Sequence, residues 1–327
     1  MIIDRQIRRM RNLLHDFGQF RAVRSRQRGR EARLIARLDT LLAELSAVPP
    51  RPRDDNQLIL GLAAGYGESE LAPFVLSLRE SGYRGDTVLF TCDLSPAATR
   101  FLAAHGIAHQ AFESLPLLPM GYCGARNFRY LEFLRGAASE YGRIMLTDVR
   151  DVVFQNDPFA HVGLADLYYF LESDSTIGGC PVNSEWMCKA FGASSLAAAA
   201  ESPVSCAGTV AGSPAGMLRY LVLMCRFTLQ AAPGFRYTGI DQAIHNHLMI
   251  HGLVPNAAIV ENGRAVCTVP EDDLRGIHAT PDGLIRNADG TASDIVHQYD
   301  RHPALVEAVA RRYVAAARPL AYANPRF

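Results

Sequence analysis

Lysine is all but missing from this chain. Lys189 is the only one among 33 basic residues, a bias that reads as coding preference rather than function. Acids and bases balance at 33 each, for a formal charge of zero. General polyanion binding is therefore not implied, and nucleic acid is not an expected partner. No apolar run is long enough to span a bilayer, and the N-terminus has no apolar core of the signal-peptide type, so a cytoplasmic address is the default expectation. There is no Cys-x-x-Cys pair. The seven cysteines, at 92, 123, 180, 188, 206, 225 and 267, are scattered and odd in number. They suit neither a disulfide framework nor a structural zinc site and are expected to be reduced, mostly buried thiols. Gly61, Gly65 and Gly67 follow the first strand candidate without forming G-x-G-x-x-G, and no G-x-x-x-x-G-K-[ST] occurs anywhere. NAD, FAD and P-loop nucleotide chemistry are thus not expected. Internal repeats and low-complexity tracts are absent too.

What remains is an ordinary globular composition: 327 residues, 49% hydrophobic and 20% charged, enough to bury a substantial core. Residues 1–53 stand apart, with thirteen arginines against five acids. Apolar residues recur at helical spacing from Ile7 to Leu14 and from Leu34 to Leu45, which predicts two amphipathic helices broken near Gly18 to Gly29. Pro49-Pro50-Arg51-Pro52 then serves as a linker. The segment reads either as a helical pair packed on the domain or as an arm making peripheral membrane or partner contact through its basic helices. The chain divides on this reading into an N-terminal helical extension, 1–53, and a second domain, 54–327.

In that second domain strands and helices alternate. Gln57 to Leu62, Thr87 to Thr91 and Gly106 to Phe112 read as strands. Glu70 to Ser81, Ala97 to Ala104 and Ala125 to Leu134 read as the helices between and after them. The alternation predicts an α/β fold whose central sheet is mainly parallel, Rossmann-like and flanked by helices. Further on, Leu167 to Leu171 and Ile295 to His297 are strand candidates, with helices at Pro214 to Gln230, Asp241 to His251 and Pro303 to about Ala316.

Chemistry concentrates where Ile144 to Leu146, a short apolar run, stops on Thr147 and Asp148 and resumes at Val152 after Asp151. Such a strand delivers two carboxylates at its carboxyl end, where open α/β sheets bind ligands. Two hard oxygen ligands with other positions open suit Mg²⁺ or Mn²⁺ bridging a diphosphate. A turn capped by Asp148 and an Asp151–Arg150 ion pair would account for the same residues. His297 ends a later strand and is a second polar group near that sheet edge. Asp241, Gln242 and Asn246 open a helix, placed either to meet a polyhydroxyl ligand or, for Asp241, to act as an N-cap.

In this order these pieces resemble the GT-A superfamily of nucleotide-sugar glycosyltransferases, and the motif order is similar to its glycogenin and lipopolysaccharide-galactosyltransferase branch. The matching parts are the strand-end acids within 146–159, Cys206-Ala207-Gly208, Asp241-Gln242 with Asn246, and His297, so that residues 57 to about 303 are covered. The resemblance implies a nucleotide-diphosphate sugar donor, a glycan or other hydroxyl acceptor, and Mn²⁺ or Mg²⁺ held by Asp148, Asp151 and His297. Arg126 and Arg129 would lie near the diphosphate with Arg150 beside the acids. Tyr66 would stack on the base and Asp93 would accept a base or ribose hydrogen bond. Ala207 and Gly208 would line the donor sugar, and Asp241 and Gln242 would be the catalytic pair. Two departures mark this chain: the family's D-x-D becomes D-x-x-D, with Val149 two before Asp151, and Cys206 stands where the branch tends to have Asn.

Two other functions fit parts of the pattern. A Mg²⁺-dependent phosphohydrolase would use Asp148 as nucleophile but needs a downstream lysine, for which Lys189 is the sole candidate. A non-catalytic nucleotide-sugar or glycan-binding protein would keep the fold with an altered acidic motif.

Overall fold

The computed structural model describes residues 27–45, 56–112 and 120–314. They fall in two compact units, Met1–Ala47 and Val48–Phe327. In the first, residues 27–45 form one helix, α1, with Leu34, Ile35, Leu38, Leu41, Leu42 and Leu45 among its covered positions. The break expected near Gly18 to Gly29 is tested only at its end: Gly29 lies inside the helix, and 18–26 lie outside the described residues. A single glycine costs a helix only about 1 kcal/mol against alanine, which a continuous apolar face offsets. The expected helix around Ile7 to Leu14 and the proline linker lie outside the described residues.

The second unit is built on a seven-stranded sheet of β1 (Gln57–Ala64), β2 (Asp86–Cys92), β3 (Ala108–Ala111), β4 (Arg143–Thr147), β6 (Leu167–Thr176), β7 (Pro203–Gly212) and β8 (Ala257–Val260), in the order β3-β2-β1-β4-β7-β6-β8. A second sheet of β5 (Val152–Phe154), β12 (Ile295–His297) and β9 (Val266–Thr268) runs in the order β5-β12-β9, and β10 (His278–Ala279) pairs with β11 (Ile285–Arg286). Strands β3, β2, β1 and β4 are mutually parallel, as are β6 and β8. Between them β7 runs antiparallel to both β4 and β6. The expected α/β class with a mainly parallel central sheet is what forms.

The reversed strand has a consequence for the site. Thr147 at the end of β4 pairs with Thr209, so the first half of β7 projects past the end of β4 on the edge where the parallel strands finish. The Asp148 N–H donates to the Gly208 carbonyl at 2.7 Å, extending the ladder by one residue. Leu171 of β6 pairs with Ser205, which brings Glu172 to the same edge.

Helices cover both faces: α2 (Glu68–Glu80), α3 (Pro96–Ala104), α4 (Tyr122–Ala137), α5 (Pro181–Phe191), α6 (Ala193–Ala199), α7 (Pro214–Gln230), α8 (Ile240–Ile250) and α9 (Pro303–Tyr313). On one side Leu71, Phe74, Val75 and Leu78 of α2 join Ile59, Leu89, Met145 and Phe154 in the main core. Phe74 and Phe154 meet edge to face at 5.1 Å, and Ser77 Oγ accepts the Phe154 N–H at 2.9 Å. Strand β5 is thereby fixed to α2, and the small sheet follows it. Leu305 and Val309 of α9 close that sheet's other side against Val153 and Val296. On the opposite face of the large sheet α7 starts at an N-cap, Ser213, whose hydroxyl accepts the Gly216 N–H at 3.1 Å, with Pro214 in the first turn. Helix α8 is buried from Ile240 to Asn246, so its polar side chains need internal partners. All seven cysteines are free, as expected, but three are buried and four half-buried, so the thiols are less buried than predicted.

Candidate active site

Two pairings make the site. In the small sheet Val152 lies opposite His297, and the Gln298 N–H donates to the Asp151 carbonyl at 2.8 Å. That register sets the residue before β5 and the last residue of β12 side by side. In the large sheet the Asp148–Gly208 ladder bond places Asp148 beside β7. The turn from 148 to 151 joins the two sheets, and the two acids and His297 gather in one cluster, with ligand atoms within 4.8 Å of one another. The D-x-x-D spacing is thus matched to a turn that carries the chain from one sheet to the other.

His297 is fully buried. Its Nε2 lies 3.4 Å from Asp148 Oδ2 and 3.7 Å from Asp151 Oδ2 but forms a hydrogen bond with neither. A buried ring nitrogen without a hydrogen-bond partner is costly. Here it faces two carboxylates across a gap suited to a cation. Gly208 keeps that gap open: a Cβ on it would overlap His297 Cε1 and lie 2.6 Å from Asp148 Oδ2. The ring's other nitrogen, Nδ1, faces Cys206 Sγ at 3.6 Å, and Gln298 Nε2 donates to the same sulfur at 3.8 Å. Burial raises the Asp151 carboxyl, reinforced by Asp148 and Asp300 and opposed by His297 and Arg150, and it is pushed up to about 6. Burial alone would raise Asp148 as well, but Arg126 and His297 hold it well below the usual carboxylate range.

From Asp148 the polar groups continue across β7. Arg126 on α4 bonds Asp148 with one prong of its guanidinium and Asp241 Oδ2 at 2.9 Å with the other. Asp241 is not the N-cap of α8, which is Gly239; it sits in the first turn and its Oδ1 accepts the Gln242 N–H at 3.0 Å. The Gln242 side chain accepts the Ala207 N–H at 2.8 Å and donates to the Ser205 carbonyl at 3.0 Å, Glu172 Oε2 at 3.2 Å and Asn183 Oδ1 at 3.3 Å. Asn246 clamps the same backbone, accepting from the Ser205 N–H at 2.8 Å and donating to its carbonyl at 3.0 Å. The first turn of α8 is therefore stitched to β7, and the side chains from His297 through Arg126 to Gln242 surround residues 205–208.

The remaining predicted residues are distributed around this centre. Burial pushes the Tyr66 hydroxyl up to about 12, with Arg150, Asp148, Asp151 and Arg126 all close enough to act on it. Arg150 pairs with Asp300 at 3.0 Å. Asp93 follows β2, is exposed, and has a left-handed backbone (φ 53°), a conformation that Asp tolerates and that clusters at functional sites. Arg129 bonds Glu132 at 2.9 Å and stands over the Phe112 ring, and these contacts place it beside the end of β3 rather than with Arg126. Sequence reasoning missed Glu172, Asn183 and the role of Cys206, all brought in by strand register or by the packing of α5 on α8.

No family model matches this chain, and no curated protein matches it. Among solved structures, the galactosyltransferase LgtC in complex with donor and acceptor sugar analogs aligns at 12% identity over 80% of this chain and 98% of that chain, with a TM-score of 0.47. An active-site mutant of LgtC aligns at 12% identity over the same shares, with a TM-score of 0.48. At that identity the likeness assigns no residue a role.

Proposed function

We propose that this protein is a metal-dependent glycosyltransferase moving a sugar from a nucleotide-diphosphate donor to a hydroxyl acceptor. The observation that carries the reading is the buried, hydrogen-bond-orphaned His297 Nε2 facing Asp148 and Asp151 at the sheet's carboxyl edge, beside Arg126, Asp241 and Gln242. The donor set fits a divalent cation: two carboxylate oxygens and one imidazole, with Gly208 leaving the space clear. Imidazole in the set favours Mn²⁺ over Mg²⁺, which prefers all-oxygen ligands. A cation held there would neutralise charge on a departing diphosphate.

The chain's own groups would do the rest. Arg126 carries positive charge between Asp148 and Asp241 and would stabilise a diphosphate oxygen from the other side. Asp241 is oriented by Arg126 and by the Gln242 N–H, and Gln242 is held by four partners, so the pair would present a rigid carboxylate and amide to sugar hydroxyls. Tyr66 and Asp93 flank the nucleotide end, with Arg150, Ala207 and Gly208 lining the donor and Arg129 an outlying member.

The rival phosphohydrolase loses its lysine, because Lys189 pairs with Glu185 on the exposed face of α5. The binding-protein alternative rested on the D-x-x-D spacing, and both acids reach the same histidine. The test is calorimetric titration with nucleoside diphosphates, with and without Mn²⁺; a cytoplasmic address and membrane contact through the basic N-terminal segment would be tested by fractionation of cells expressing the protein.

A further inference from the structure

Two residues of β7 meet the His297 ring, and alternate residues of a strand share a face. Gly208 lies against Cε1 and Nε2, where it leaves the space toward Asp148 clear. Cys206 lies at the ring's other nitrogen, its Sγ 3.6 Å from Nδ1. Both Cys206 and His297 are buried. A neutral imidazole carries one proton, on one nitrogen or the other. For Nε2 to give its lone pair to a cation, that proton must sit on Nδ1, and among the described residues the hydrogen-bond partner of Nδ1 is the Cys206 sulfur.

The sulfur is itself held from two directions. Gln298 has a left-handed backbone, φ 62°, a conformation that clusters at functional sites in residues other than glycine. In it the Gln298 N–H reaches the Asp151 carbonyl at 2.8 Å and the side-chain amide reaches Cys206 Sγ at 3.8 Å. From α8, Asn246 bonds both backbone groups of Ser205, and Gln242 bonds the Ser205 carbonyl and the Ala207 N–H. The backbone on either side of Cys206 is therefore fixed before any ligand arrives. Helix α8 holds the cysteine, and the cysteine meets the histidine.

We infer that Cys206 is a positioning residue for the cation centre: its sulfur accepts the hydrogen bond from His297 Nδ1–H and so leaves Nε2 bare and aimed at Asp148 and Asp151. The inference rests on the metal-dependent reading above. Metal-ligating histidines ordinarily give this proton to a carboxylate, a backbone carbonyl or water. A thiol sulfur is a weaker acceptor, so in this chain the contact fixes the tautomer and direction of the ring more than it strengthens the ring's hold on the cation.

Electron paramagnetic resonance gives the Mn²⁺ affinity of the native protein, Cys206→Ala and Cys206→Ser, with circular dichroism as the check on folding. Cys206→Ala removes the acceptor and should weaken Mn²⁺ binding about 10–100-fold, the usual cost of losing such a partner. Cys206→Ser restores an acceptor and should recover most of the loss. Because Cys206 acts through the imidazole, Mg²⁺, which favours oxygen ligands, should be weakened less, so less Mg²⁺ should displace half of the bound Mn²⁺ in Cys206→Ala than in the native protein. A merely structural role would weaken both cations alike. ¹⁵N-histidine NMR of the native protein loaded with Zn²⁺, which has no redox chemistry and takes imidazole, reads the tautomer with no variant at all, and His297 should carry its proton on Nδ1. Native Mn²⁺ affinity in Cys206→Ala would overturn the inference and leave the metal reading standing, as would equal losses for the two cations or a His297 proton on Nε2. A native protein that binds no Mn²⁺ would overturn both.

Discussion

The Asp151 carbonyl accepts the Gln298 N–H at 2.8 Å, and this one backbone bond sets a carboxylate from the middle of the chain beside His297 from its far end. The Asp148–Asp151–His297 cluster is therefore a property of β5–β12 pairing as much as of its three residues.

Asp151→Ala should abolish Mn²⁺ binding and leave the fold intact, because the half-buried carboxylate carries an unfavourable environment that its removal relieves. Electron paramagnetic resonance of free and bound Mn²⁺ measures the first, and circular dichroism through thermal unfolding the second. Native Mn²⁺ affinity in the variant would show that the ligand assignment is wrong.

Gly208→Ala adds one methyl group where His297 and Asp148 leave no room. Overpacking of this kind costs about 1–3 kcal/mol, and relief by swinging His297 away would break the cluster. Denaturant unfolding should show that loss, and Mn²⁺ affinity should fall with it.

Arg126→Met removes the guanidinium between Asp148 and Asp241 while roughly keeping its length. Breaking a largely buried ion pair from one side costs about 3–5 kcal/mol, and here two carboxylates lose their partner. The depressed Asp148 carboxyl should also move up, since Arg126 is the main group holding it down. Denaturant unfolding measures the first effect, and NMR titration of the Asp148 carboxyl carbon the second.

His245 supplies a pH prediction. It is fully buried, between Ser205 Oγ at 2.8 Å and the Tyr220 hydroxyl at 2.9 Å, and burial lowers it to about 3. The unfolded chain binds the proton first, so stability falls as pH drops through about 6.5 and stops falling near 3, by about 1.4 kcal/mol per pH unit in between. From pH 7 to 5 this group alone should remove about 2 kcal/mol. In His245→Gln the slope between pH 7 and 5 should flatten by this amount, with His247, which burial lowers to about 4, still acting in the same direction and Asp151, raised to about 6, acting against it. An unchanged slope in denaturant midpoints across that range would contradict it.

Much of this was legible in the residues. Pro214 to Gln230 and Ile295 to His297 were readable to the residue, because a capped, proline-started helix and a short β-branched strand are local signals. The acids at 148 and 151, His297 and the Asp241-Gln242 pair were readable as chemistry out of place in apolar runs. What could not be read is what depends on long-range register. Cys206 meets His297 only because antiparallel β7 overhangs β4. Glu172 reaches Gln242 only because β6 ends where it does against Ser205. Trp186 carries no local signal in the sequence, and only the packing of Gly239 on its indole brings it near Asp241 and Gln242. Gly29, at the end of the expected break, stays helical for the opposite reason, a local signal too weak to stop a strong apolar period.

A cation held by Asp148, Asp151 and His297 would bind a nucleoside diphosphate. Calorimetry with UDP, GDP, ADP and CDP in turn, each with and without Mn²⁺, tests it most directly. At least one should bind with an affinity raised tenfold or more by Mn²⁺, and Asp151→Ala should erase the difference. No binding of any nucleotide under either condition would contradict the claim.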